Sequence, residues 1–131
     1  MLRIPSQLDD DLEALIHRVI GCCIDVHRKL GPGLLEIIYQ RAVALELEAA
    51  GIRVEREKRC PVFYRGRRLY VHCLDLVVDE RLLLELKAVA GLHPVHTAQT
   101  ISSLRVSTLR VALLINFNVP VLAEGIKRIV L

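Results

Sequence analysis

Tryptophan is absent from this chain, and two phenylalanines and three tyrosines are its only aromatic side chains apart from histidine. So few rings offer little for stacking unpaired bases. The core must be aliphatic, because hydrophobic residues still make up 53% of the sequence. No apolar run approaches the roughly 20 residues that a bilayer-spanning helix needs, and Met1 to Gln7 contain no signal-peptide core. The sequence therefore predicts an intracellular, cytoplasmic protein without a membrane partner. Cys22, Cys23, Cys60 and Cys73 form no Cys-x-x-Cys pair, which argues against a structural zinc or a dithiol redox centre and for reduced thiols in the core. His17, His27, His72, His93 and His96 show no metal-ligand spacing either. Repeats, linkers and low-complexity segments are missing, so 131 residues read as one domain. A strong excess of one charge is lacking too. Against 15 acids, 18 Lys and Arg leave a balance of +3, which permits contact with a phosphate backbone without requiring it.

What is present is a clear change of period. Ser6 is placed to cap a first helix, with Asp9, Asp10 and Asp11 in the opening turn favouring its dipole. Leu8, Leu12, Leu15, Ile16, Val19, Cys23, Val26 and Leu30 recur at helical spacing and predict a helix over about 7–30, stopped by Gly31-Pro32-Gly33. A second helix is expected over about 34–50, with Gly51 as its stop. Beyond it the period falls to two. Ile52 to Glu57 alternates as a half-exposed strand does, and Pro61 to Tyr64 runs extended to a turn at Arg65-Gly66-Arg67. Strands follow over about 69–78 and 82–89. Pro94 opens a helix to about 107, 109–117 is a buried strand, and Gly125 suits a short strand after a loop in the tail. Helix, helix, strands, helix, strand predicts a three-layer mixed α/β domain, with helices covering a central sheet.

Two of these strands carry charges where burial forbids them unless they are paired. Leu74–Val78 and Leu82–Val89 are apolar enough to be buried on both faces, yet they hold Asp75, Glu85 and Lys87. Desolvating such groups costs several kcal/mol unless they pair or bind a metal. Glu85 and Lys87 project from one face of their strand, with Leu86 on the other. Two readings follow from the residues alone: a site for a divalent cation and an activated water, or a buried ion-pair triad serving structure. Register separates them. A two-residue turn at Asp79-Glu80 places Asp75 opposite Leu84, with Glu85 on the other face. A three-residue turn, or a bulge, places Asp75 opposite Glu85. Only the second arrangement allows a shared cation.

Asp75 with Glu85-Leu86-Lys87 resembles the signature of PD-(D/E)xK nuclease-fold proteins. Gly33-Leu34-Leu35-Glu36-Ile37-Ile38-Tyr39 is similar to the motif that names the GxxExxY protein family. Further similar stretches are Val26 to Gly33, Glu85 to Val89, Pro94 to Gln99 and Leu113 to Phe117, so the resemblance extends from about residue 15 to the C-terminus. It implies a restriction-endonuclease-like fold holding Mg²⁺ or Mn²⁺ at a site that cleaves phosphodiesters, of DNA first and RNA second. It also implies that Asp75 and Glu85 bind the metal with the Leu86 backbone carbonyl, and that Glu36 adds a helical acid. Lys87 would orient or deprotonate the attacking water, and Gln99 would support the site. Two positions depart from the pattern. Ser103 stands where related exonucleases often have the tyrosine of Gln-x-x-x-Tyr, and Thr108 stands where a glycine is usual.

Other residues have plainer readings. An acid at Glu36 suits a helix N-terminus in any case. Tyr39, one turn on, is placed to hydrogen-bond that carboxylate or to pack with its hydroxyl at the surface. His27 suits a helix C-terminus, and Arg65, Arg67 and Arg68 crowd a hairpin tip. A catalytically inactive nuclease-fold module that binds nucleic acid or protein is the competing expectation. Homo-oligomerisation and a targeting partner protein are compatible with either.

Overall fold

The structure is a computed structural model and describes residues 7–131. The expected Ser6 cap lies outside the described residues. The first helix, α1 (Asp10–Leu30), starts three residues later than the periodicity suggests, because Asp9 takes the N-cap and its carboxylate accepts from the Leu12 N–H at 2.8 Å. The remaining elements are α2 (Glu36–Ala49), β1 (Val54–Tyr64), β2 (Arg67–Val78), β3 (Leu82–Lys87), α3 (Pro94–Ser107), β4 (Val111–Asn116), a 3-10 turn (Leu122–Gly125) and β5 (Ile126–Val130). The two strand segments expected before Arg65 are one strand, and Pro61 sits within it. A proline is tolerated there because β1 is an edge strand.

Strand order follows chain order, β1-β2-β3-β4-β5. All neighbours are antiparallel except β3 and β4, which are parallel and joined through α3. Leu82, Leu84 and Leu86 of β3, with Val111, Leu113 and Ile115 of β4, pack against α1 and α2. Leu83, Ala112 and Leu114 face the other way, into a cluster with Leu104 of α3. This strict alternation makes three layers, helices–sheet–helix, in the mixed α/β architecture of restriction-endonuclease-like proteins. Among the described residues no helix is long and apolar enough to cross a membrane.

Two details of packing bear on the site. Tyr39 is fully buried and stacks on Phe117 with ring centroids 4.6 Å apart. Its hydroxyl donates to the Gly31 carbonyl (2.5 Å) and accepts from the Leu34 N–H (3.1 Å). Both readings of Tyr39 from sequence are therefore corrected: the hydroxyl neither meets Glu36 nor reaches the surface, but ties down the loop from which α2 starts. His27 is also buried, with Nε2 2.8 Å from the Val119 carbonyl. The expectation of core thiols holds for Cys23 and Cys60 but not for Cys73, which is exposed.

Candidate metal and phosphodiesterase site

The β2–β3 turn decides the site. Its residues are Asp79, Glu80 and Arg81, and the register runs Val78 to Leu82, Val77 to Leu83, Leu76 to Leu84. Three turn residues place Asp75 level with Glu85, the arrangement a shared cation needs. Asp79 and Glu80 both adopt left-handed backbone (φ 51° and 57°), and the Arg81 N–H closes the turn on the Val78 carbonyl at 3.0 Å.

Beyond Leu76 and Leu84 the strands part. The Leu86 N–H donates instead to Asp75 Oδ2 at 2.9 Å. One residue thus fixes the Asp75 carboxylate through its N–H while its own side chain anchors in the core. Strand β2 also turns over here: Leu74 belongs to the α3-side core, whereas Leu76 and Val78 belong to the α1–α2 side. Opposite, Glu57 carries a left-handed φ of 52°. Asp75 occupies this fork in the sheet.

The electrostatics at the fork are those of a site short of positive charge. Burial and then the neighbouring Asp75 carboxylate push the Glu85 carboxyl up to about 8. Burial likewise raises Asp75, against the opposing pull of the Leu86 N–H and of Lys87. Glu85 Oε1 is buried without a hydrogen-bond partner. Lys87, on the same face of β3, lowers both acids and Glu36 through its charge. Glu36, at the first position of α2, is raised by partial burial and then senses Lys87 and Asp75. It faces the pair without joining it: among the described residues no three His, Cys, Asp or Glu side chains group closely enough to hold an ion. An all-oxygen donor set, two carboxylates forced together and one orphaned buried oxygen nevertheless fit a hard divalent cation that keeps several waters.

Gln99 does not join the pair. It is exposed on α3, and its carbonyl accepts from the Ser103 hydroxyl at 3.1 Å. Ser103 is the α3 residue that meets Glu85, whose charge it favours. His72 Nε2 lies 2.8 Å from the same hydroxyl oxygen. With the Ser103 proton given to an acceptor, a protonated Nε2 is the donor to Oγ. Sequence reasoning passed over Ser103 and His72 as site residues. The available signal was a hydroxyl-bearing pair, Thr100 and Ser103, at the i, i+3 spacing of one helix face; both prove buried against the sheet.

Asn116 was missed too. It pairs with Lys87 across β3 and β4, and its side chain accepts from the Val89 N–H (3.1 Å) and donates to the Val89 carbonyl (3.0 Å). The Phe117 N–H binds the Lys87 carbonyl at 2.8 Å. The end of β4 therefore holds the strand that carries Glu85 and Lys87.

With this geometry in place, residues 13–129 match the model of a family described as the PD-(D/E)XK nuclease superfamily. That span is most of the chain, and the chain belongs to this superfamily. No curated protein and no solved structure matches it significantly.

Proposed function

We propose that this member of the PD-(D/E)XK nuclease superfamily is a metal-dependent nuclease that hydrolyses phosphodiester bonds of DNA, with RNA as the lesser substrate. The observation that carries the reading is the placement of Asp75 level with Glu85 at a fork in the sheet, with Lys87 beside them. Asp75, Glu85 and the Leu86 carbonyl would hold Mg²⁺ or Mn²⁺, with Glu36 adding a further acid close enough to sense Asp75 and Lys87. The bound cation would supply an activated water and neutralise charge on the phosphate. Lys87 orients the attacking water and stabilises the negative charge that builds on the phosphate oxygens. Ser103 favours the charged form of Glu85 without outweighing burial, and Gln99, exposed one turn earlier on the same helix, would support the site from there. Gly33, Glu36 and Tyr39 are the spaced residues of the GxxExxY pattern, and the loop tie made by Tyr39 supports a GxxExxY affiliation. We place the protein in the cytoplasm, with a partner protein supplying its targeting.

The test is a panel of labelled single-stranded, duplex and branched DNAs, together with RNA, incubated in Mg²⁺ or Mn²⁺. Lys87→Ala is expected to keep its melting temperature and lose turnover by about 10²–10³-fold. Glu85→Ala is expected to lose turnover and cation affinity together. Cleavage unchanged in both variants sinks the assignment. Tight, salt-dependent DNA binding with no product in either cation would mark a nuclease-fold binding module instead.

A further inference from the structure

Strands β1 and β2 run on past the rest of the sheet. β3 pairs with β2 only over Leu76–Val78, whereas β1 and β2 stay paired out to Tyr64 and Arg67. The result is a two-stranded arm that leaves the sheet at Asp75, packs its base on α3 through Leu74, Cys60 and His72, and extends beyond it. From that residue to Arg67 the strand covers about 25 Å at ~3.3 Å per residue. Arg65 and Gly66, both with positive φ, close its tip, and a register shift between Val62 and Phe63 adds twist.

Composition sets this arm apart. Between Glu57 and Asp75 lie Lys58, Arg59, Arg65, Arg67 and Arg68 and not one acid, in a chain whose whole balance is +3. The rest of the molecule is therefore net negative. Three of the chain's few phenylalanines and tyrosines are here, and they face water: Phe63 is 60% exposed, Tyr64 66% and Tyr70 68%. The other two, Tyr39 and Phe117, stack inside the core. At the tip each aromatic stands across from an arginine, Phe63 from Arg68 and Tyr64 from Arg67. Large rings left in water on a two-stranded ribbon add nothing to a core, and such a ribbon is marginal by itself.

We propose that the β1–β2 arm holds unpaired nucleotides, with the neighbours Phe63 and Tyr64 offering rings on opposite faces of the ribbon, Tyr70 adding a third, and Arg65, Arg67 and Arg68 contacting phosphates. The inference deepens the nuclease reading and rests on it for the class of ligand. Stacking needs splayed bases, which duplexes do not offer, and base–aromatic stacking tolerates any sequence. A second copy of the chain is the other occupant the surface invites, but five cations without an acid repel their own image. Scarcity of aromatics in the sequence argued against base stacking; their concentration on one exposed arm reverses that argument. The arm would hold a single strand or flap and lead it to the phosphodiester site at its root.

The experiment measures binding without cleavage, by fluorescence anisotropy in EDTA, so that a failed nuclease assay and a failed arm are separate results. The full-length chain is titrated with a labelled oligo-dT and with a duplex of equal length, over a range of salt. Phe63→Ala/Tyr64→Ala/Tyr70→Ala is expected to lose tenfold or more in single-strand affinity with its salt slope unchanged. Arg65→Ala/Arg67→Ala/Arg68→Ala is expected to flatten the slope of log K against log salt by about 2, at ~0.7 for each single-strand phosphate that is no longer neutralised. Circular dichroism melts of both variants should match the parent, since these side chains leave the core untouched. Wild-type single-strand affinity in the aromatic variant overturns the proposal. So does a sedimentation result in which those substitutions split a dimer while oligo-dT binding persists.

Discussion

Glu85 shows how one buried carboxyl reports on a site. Its proton affinity is raised well above the ordinary value of 4.5, to about 8, by burial and by Asp75. A carboxyl raised on folding stabilises the native state in its protonated form. That contribution is complete below the unfolded value and disappears as pH rises through the folded one. Metal-free protein is thus expected to melt at progressively lower temperature from about pH 5 to about pH 8, and Glu85→Gln should remove most of the slope. Calorimetry across that range checks it; a slope equal in the variant would place the titration elsewhere. Thr108 is a second informative residue. It caps α3 in left-handed backbone at φ 60°, where a β-branched side chain is strained and glycine is not. Thr108→Gly should stabilise the fold by about 1 kcal/mol in chemical denaturation.

At the scale of elements, the connections after β3 and β4 govern the chemistry. Asn116 clamps both backbone groups of Val89, and Gly125 packs so closely on it that a Cβ there would stand 2.3 Å from the Asn116 carbonyl oxygen. Gly125→Ala must push β4 or the 3-10 turn aside. A loss of about 1–3 kcal/mol in unfolding free energy is expected, with catalysis impaired through the displaced Lys87 strand. Equal stability in the two proteins would mean that this close approach is not required. The β2–β3 turn acts by count alone. Three residues there, two of them in left-handed backbone, put both acids at one place.

For the whole molecule, two acids held together without a cation weaken the fold that a cation would complete. A ligand binding only the native state stabilises by about 2.7 kcal/mol at a hundred times its Kd. For a domain of this size that amounts to an increase in Tm on the order of 10 °C. Mn²⁺ or Mg²⁺ should therefore raise the melting temperature, more at pH 8 than at pH 5.5, and Asp75→Asn should abolish the increase. An identical shift in that variant would locate the ion away from the fork.

The elements and their layers were legible in the sequence, because burial on one face or two leaves a period that hydrophobic residues must obey. Helix 94–107 and the paired strands around Asp79 lie within a few residues of where the pattern put them. Asp75, Glu85 and Lys87 stood out for the same reason, as charges in apolar runs. Tertiary structure alone decided the rest. The number of residues in a turn is not written in hydrophobicity, so the facing of the two acids had to be seen. Partners distant in sequence, such as Ser103 and His72 beside Glu85 or Asn116 on Val89, meet only through packing of separate elements. The exposure of Phe63, Tyr64 and Tyr70 follows from β3 being shorter than its neighbour, and a strand's own sequence does not say where its partner ends.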